Sequence, residues 1–174
     1  MIKLLILDVD GVLTDGKKYY NVDGMPALKS FYDKDFTAIK RVKASGVPVC
    51  FLSGDNFINE EIAKNRNLDF FYARGRDKVD FLPELCEKYG VNEEDILYIG
   101  DDLFDINIMK KVGYPFCPED AIREILDVCG QERTVSRKAG AGVIQELYDV
   151  LITRKLILPT TLQQVEELDK YERF

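Results

Sequence analysis

With 174 residues, 46% hydrophobic and 32% charged, the chain is long enough for one domain with a proper core and ordinary in composition for a soluble globular protein. The absence of histidine removes Ser-His and Cys-His nucleophiles and most zinc sites, and a net charge of −7 argues against a nucleic-acid surface. No apolar run approaches the roughly eighteen residues a bilayer demands, and the N-terminus lacks a signal-peptide pattern, so the expectation is a cytoplasmic protein with no membrane partner.

The chain opens on Leu4-Leu5-Ile6-Leu7, which reads as a strand buried on both faces, as in a parallel sheet between helices. Asp8 and Asp10 follow at strand spacing and Gly11 permits a sharp turn, so both carboxylates can face one opening. Lys17 to Tyr20 and Ala27 to Tyr32 form an expected hairpin around Asn21-Val22-Asp23-Gly24, too small to be stable unless it packs on another surface. A helix is expected over Thr37 to Ala44, a second buried strand over Val47 to Leu52 ending in Ser53-Gly54-Asp55, a helix over Asn59 to Arg66 and a short strand over Phe70 to Tyr72. Asp77 caps a helix from Lys78 to Tyr89. Ile96 to Ile99 is a fourth strand closed by Gly100-Asp101-Asp102, followed by a helix over Ile106 to Val112. A strand over Pro115 to Cys117, a helix over Ala121 to Val128, a last short strand at Val135 and a helix over Val143 to Arg154 complete the body. An amphipathic tail helix follows Pro159, within about 160–174. Cys50, Cys86, Cys117 and Cys129 are scattered and read as free thiols. Alternating strands and helices give a single doubly wound α/β domain with a parallel sheet over residues 1–174, a hairpin flap at about 17–32 and no cap domain.

Three strand ends therefore carry polar chemistry: Asp8/Asp10, Ser53-Gly54 and Asp101/Asp102, with Lys78 starting a helix nearby. In a parallel sheet these converge on the carboxyl edge, where ligands bind. Taken alone, Ser53 could serve as a helix cap and Lys78 as a solvated first-turn residue, and Asp102 and Asp105 could cap or orient their neighbours. Together, the carboxylates suit Mg²⁺, a hard cation that prefers oxygen ligands, and without a cation they would repel one another. A carboxylate beside Mg²⁺ can attack phosphorus, and a second one two residues on can protonate the leaving alkoxide and then activate water.

These pieces, in this order, resemble the haloacid dehalogenase superfamily of phosphohydrolases. Its first motif, D-x-D-G-[VT]-[LT]-[TD], stands here as Asp8 to Thr14; the second is Ser53, the third Lys78 and the fourth Gly100-Asp101-Asp102-Leu103-Phe104-Asp105. The resemblance implies Asp8 as nucleophile, Asp10 as general acid/base, Ser53 and Lys78 as phosphate ligands, and Asp8, the Asp10 carbonyl and Asp101 as Mg²⁺ ligands. A phosphotransfer receiver domain shares paired acids and a lysine, but its acids fall elsewhere along the chain.

Within the superfamily, Asp8 to Gly16, Leu28-Lys29-Ser30-Phe31, Asp35, Asp77-Lys78, Ile99 to Leu103 and Gly140-Ala141-Gly142 resemble the capless phosphatases of 3-deoxy-manno-octulosonate 8-phosphate, over roughly residues 3–150. That likeness implies an acidic sugar phosphate as substrate and a homotetramer in which the hairpins assemble and a neighbour covers each site. Asp10, Ser53, Gly54, Asp55, Arg66 and Lys78 are the implied substrate contacts. Asp55 and Arg66 look more like the related nonulosonate (sialic-acid-type) 9-phosphate phosphatases, while Arg74, Gln145 and Phe36 also depart from the octulosonate pattern. The remaining alternative is a catalytically silent relative that binds a sugar phosphate.

Overall fold

In the computed structural model, which describes residues 1–172, strand β1 (Leu4–Leu7) is buried at every position. Burial on both faces follows from its place: the sheet also contains β4 (Val49–Ser53), β5 (Asp69–Tyr72), β6 (Ile96–Ile99) and β7 (Tyr114–Phe116), in the order β5-β4-β1-β6-β7. All four pairings are parallel, and β1 sets Leu7 beside Phe51 of β4 and Ile99 of β6. Asp8, Ser53 and the Gly100-Asp101 turn are therefore brought to one edge by register.

Side-chain alternation divides the core into two layers. Leu5 and Leu7 pack with Phe36, Ile39 and Val42 of α1 (Asp33–Ala44) and with Ile144, Leu147 and Leu151 of α6 (Val143–Thr153). Leu4 and Ile6 face Leu82 and Leu85 of α3 (Leu82–Tyr89), Ile108 and Met109 of α4 (Ile106–Met109) and Ile125 of α5 (Arg123–Cys129). Helix α2 (Ile58–Asn65) connects β4 to β5, and α7 (Leu162–Asp169) lies against α1. Helix α7 ends at Asp169, short of the expected extent of the tail helix, whose last two positions, 173–174, fall outside the described residues.

Several elements differ from expectation for local reasons. The segment from Lys78 is a 3₁₀ turn over Lys78–Phe81 that becomes α-helical only at Leu82, where Pro83 occupies the first turn and lacks the N–H that a continuous helix needs. Helix α1 begins four residues early at Asp33, where Asp33 and Asp35 favour the positive end of the helix dipole. The strand expected at Val135 is only a single bridge between Cys117 and Thr134. The hairpin is shorter than expected, with β2 (Tyr19–Tyr20) antiparallel to β3 (Pro26–Leu28), and its side chains are largely exposed. It is all that stands between β1 and α1, and between β4 and Lys78 there are only α2, β5 and a loop; no cap domain is inserted among the described residues.

Candidate active site

Asp8 sits just past β1 with its backbone N–H donating to the Ile99 carbonyl of β6 at 3.0 Å, which fixes it at the sheet edge. Its side chain is buried, 3.0 Å from Lys78 Nζ. Burial pushes the carboxyl up to about 7, with Asp105 adding repulsion and Lys78 opposing both. Against the burial that alone would lower it, Asp8 and Asp105 raise Lys78, so the ammonium stays charged. Asp101, on the turn after β6, is pushed up to about 8 by burial and by its neighbours Asp8, Asp105 and Asp102.

The turn after β1 makes room for that acid. Gly11 has φ +87°, and a Cβ there would fall 2.0 Å from Asp101 Oδ2. No other residue both adopts this backbone conformation and lets Asp101 lie against it.

Asp8, Asp101 and Asp105 each present one oxygen within 4.8 Å of the others. Their lone pairs are not equally available. Asp105 accepts from Lys78 at 2.6 Å and from the Tyr98 hydroxyl at 2.5 Å through Oδ1, and from the N–H groups of Asp101 and Asp102 at 3.0 and 3.1 Å through Oδ2. It is fully buried and saturated, so it builds the Asp101 turn and holds Lys78. Asp101 Oδ1, in contrast, is buried with no hydrogen-bond partner. An orphaned buried carboxylate oxygen beside a second acid fits a hard divalent cation such as Mg²⁺, whose charge would offset the desolvation and repulsion at both groups.

Ser53 ends β4, buried, and its Oγ accepts from Asn59 Nδ2 at 3.0 Å and from the Asp55 N–H at 3.2 Å. Asp10 turns away from the acid cluster: its carboxylate oxygens lie 2.8 Å from Lys29 Nζ, with Asn59 Nδ2 donating at 3.1 Å and the Thr14 hydroxyl at 3.4 Å. Asp55 meets Lys29 at 2.8 Å and Lys18 at 2.9 Å, and against the burial that would raise it these two lysines hold its carboxyl below the usual range.

A cavity of about 810 Å³ opens over these groups. Asp8, Asp10, Ser53, Gly54, Asp55, Lys78 and Asp101 all line it, and Arg74, Arg76, Leu103, Phe104 and Asn107 form its outer wall. Arg66 is not brought there. It sits at the far end of α2, whose eight residues rise about 12 Å from the sheet edge, and stacks on Phe36 at 4.3 Å with Glu172 and Asp33 at 3.6 and 3.8 Å. Gln145 is likewise engaged elsewhere: its backbone N–H donates to Asp35 at the start of α6 and its side-chain amide donates to Asp149 at 3.2 Å. Lys18, Lys29 and Asn59 are site residues that sequence reasoning missed. The sequence signal was slight: a lysine within the Leu28-Lys29-Ser30-Phe31 likeness, and an asparagine one helical turn past the serine motif.

A family model for haloacid dehalogenase-like hydrolases matches residues 54–147. The 3-deoxy-D-manno-octulosonate 8-phosphate phosphatase KdsC of Haemophilus influenzae is 32% identical over 152 residues, covering 87% of this chain and 83% of that protein. Its cobalt-bound structure superposes with a TM-score of 0.81 at 31% identity, covering 88% of this chain and 90% of that one. The Moraxella catarrhalis phosphatase, solved with magnesium, phosphate and a KDO molecule, gives a TM-score of 0.78 at 25% identity over 98% of this chain and 91% of its own. The chain therefore belongs to the haloacid dehalogenase-like hydrolases and is a phosphoric monoester hydrolase related to the 3-deoxy-manno-octulosonate 8-phosphate phosphatases.

Proposed function

We propose that this chain, acting as a single hydrolase domain, is a Mg²⁺-dependent phosphatase of an acidic keto-deoxy sugar phosphate of the 3-deoxy-manno-octulosonate 8-phosphate type. The observation that carries the reading is the pairing of a buried Asp8 beside Lys78 with an unpartnered Asp101 oxygen at the same strand edge. An Asp8 oxygen attacks phosphorus and the ester P–O bond breaks, leaving an aspartyl-phosphate. Asp10 gives its proton to the departing alkoxide. Asp10 then takes a proton from the water that attacks the intermediate, releasing inorganic phosphate and regenerating Asp8. Lys78, the Ser53 hydroxyl and the Gly54 N–H hold the phosphoryl oxygens. Asp8, Asp101 and the Asp10 carbonyl would hold Mg²⁺, which when bound supplies the positive charge that lets an anionic carboxylate meet an anionic phosphate. Lys18, Arg74 and Arg76 on the cavity wall support an acidic sugar over a neutral one. The exposed hairpin, with Tyr19 64%, Tyr20 61% and Leu28 65% accessible, supports assembly through this element into a homotetramer whose neighbours close the open cavity.

Phosphate release with Mg²⁺ from 3-deoxy-manno-octulosonate 8-phosphate, a nonulosonate 9-phosphate and glucose 6-phosphate tests this. The octulosonate is expected to give the highest kcat/KM. A nonulosonate preference would move the assignment to the 9-phosphate enzymes, a hexose preference would overturn the acidic substrate class, and no cleavage of any ester would overturn hydrolysis itself.

A further inference from the structure

We propose that Lys29 is a positioning residue for Asp10, so that the hairpin sets the geometry of the acid that protonates the leaving group. The inference rests on the role given to Asp10 above.

Lys29 follows β3 directly and turns inward: its side chain is 1% exposed, whereas Leu28 beside it stands in solvent. An ammonium has three protons and no acceptor. All three find partners, on Asp10, Asp55 and Asn59, each at 2.8 Å. Nothing remains for a substrate, which separates this lysine from the phosphate-facing Lys78.

The Asn59 contact extends the effect. Because Lys29 can only donate, it must face Asn59 Oδ1, and this leaves Nδ2 aimed at Asp10 and Ser53, at 3.1 and 3.0 Å. One buried cation thus orients the acid directly and, through an amide, ties it to the serine that faces the phosphate. Lys18 sits 3.7 Å from Asp10 and 2.9 Å from Asp55, so it balances Asp55 while Lys29 governs Asp10. A misplaced proton donor matters most when the leaving alkoxide is a poor one, and least when the leaving group departs without help.

Leaving-group dependence is therefore the test. Lys29→Met and the unaltered enzyme are compared, with Mg²⁺, on 3-deoxy-manno-octulosonate 8-phosphate, whose alkoxide needs a proton, and on p-nitrophenyl phosphate, whose phenolate does not. The expected result is a loss of about 10²-fold or more in kcat/KM on the alkyl ester, mostly in kcat, and under about 10-fold on the aryl ester. Equal losses on both, or none, would overturn the proposal, because a general packing or binding defect does not distinguish leaving groups. If the Met variant does not fold by circular dichroism, Lys29→Arg carries the same test: its longer planar head keeps the charge but displaces the Asp10 carboxylate, and the same unequal loss is expected. An unaltered enzyme that cleaves neither ester would refute the hydrolase reading itself, a result distinct from either pattern in the variants.

Discussion

The strand-edge floor of the site and the hairpin above it are opposites. In the floor, Asp8, Asp105, Lys78 and Tyr98 are buried and answer one another within a single chain. In the hairpin, Tyr19, Tyr20, Val22, Met25 and Leu28 stand in solvent, and only Lys18 and Lys29 reach back to the site. The floor is therefore built by groups whose geometry the central sheet enforces, whereas the hairpin is a small element with little packing of its own that touches the site only through its two lysines.

Breaking the floor is expected to have the largest effects. Asp8→Asn removes the nucleophile and should lower kcat by about 10⁴-fold or more while the circular dichroism spectrum stays native; near-normal turnover would end the covalent mechanism. Stripping Mg²⁺ with EDTA should abolish phosphate release. Because Asp8 and Asp101 stand at about 7 and about 8, they must shed protons to bind a cation, so added Mg²⁺ should raise Tm more at pH 8.5 than at pH 6. A shift that is equal at both pH values would argue against these ligands. Asp105→Ala should cost about 3–5 kcal/mol in urea unfolding, since it takes one of two carboxylates from the buried Lys78 ammonium and removes the acceptor of a hydroxyl and two N–H groups.

Smaller effects are expected where the scaffold meets the helices. Asp35 caps α6 by accepting from the N–H groups of Ile144 and Gln145, both at 2.9 Å, and burial pushes its carboxyl up to about 6 from the ordinary 3.8. The folded state thus keeps a proton that the unfolded chain releases. Stability from this group is full below about pH 4 and lost as pH rises through about 6. Asp35→Asn keeps the acceptor without the titration, so its unfolding free energy should fall less than that of the unaltered protein between pH 4 and 6.5; parallel curves would refute the assignment. Least of all should be felt by the fold when Val22, fully exposed at the hairpin tip, becomes Asp: the unfolding free energy of the isolated chain should change by under about 0.5 kcal/mol. The same change should lower the assembled mass in light scattering, and an unchanged mass would remove the hairpin from the interface.

Much of the fold was legible because one signal repeats. Apolar runs at Leu4 to Leu7, Val47 to Leu52 and Ile96 to Ile99 are each short and followed by polar residues and glycine, the pattern of a strand buried on both faces. The expected convergence of Asp8, Asp10, Ser53, Lys78 and Asp101 on one strand edge is matched by their placement, since all five line one cavity; their roles are the proposal made above. The family likeness implies Arg66 as a substrate contact, yet α2 carries it about 12 Å along its axis to a different partner set. The contacts of Lys29 and Asn59 with Asp10 were hardly legible, because partners 19 and 49 positions apart in the chain leave little local pattern.

The order of its residues alone determined a parallel α/β fold with two aspartates at the end of the first strand, because hydrophobic period and strand-end chemistry are local properties; the likeness of its motifs to a known superfamily implied hydrolysis. Only the tertiary structure decided which acid would be left without a partner, which would be saturated, and which lysine would orient the proton donor. Those outcomes depend on how many donors converge on one oxygen, and convergence is a property of packed space.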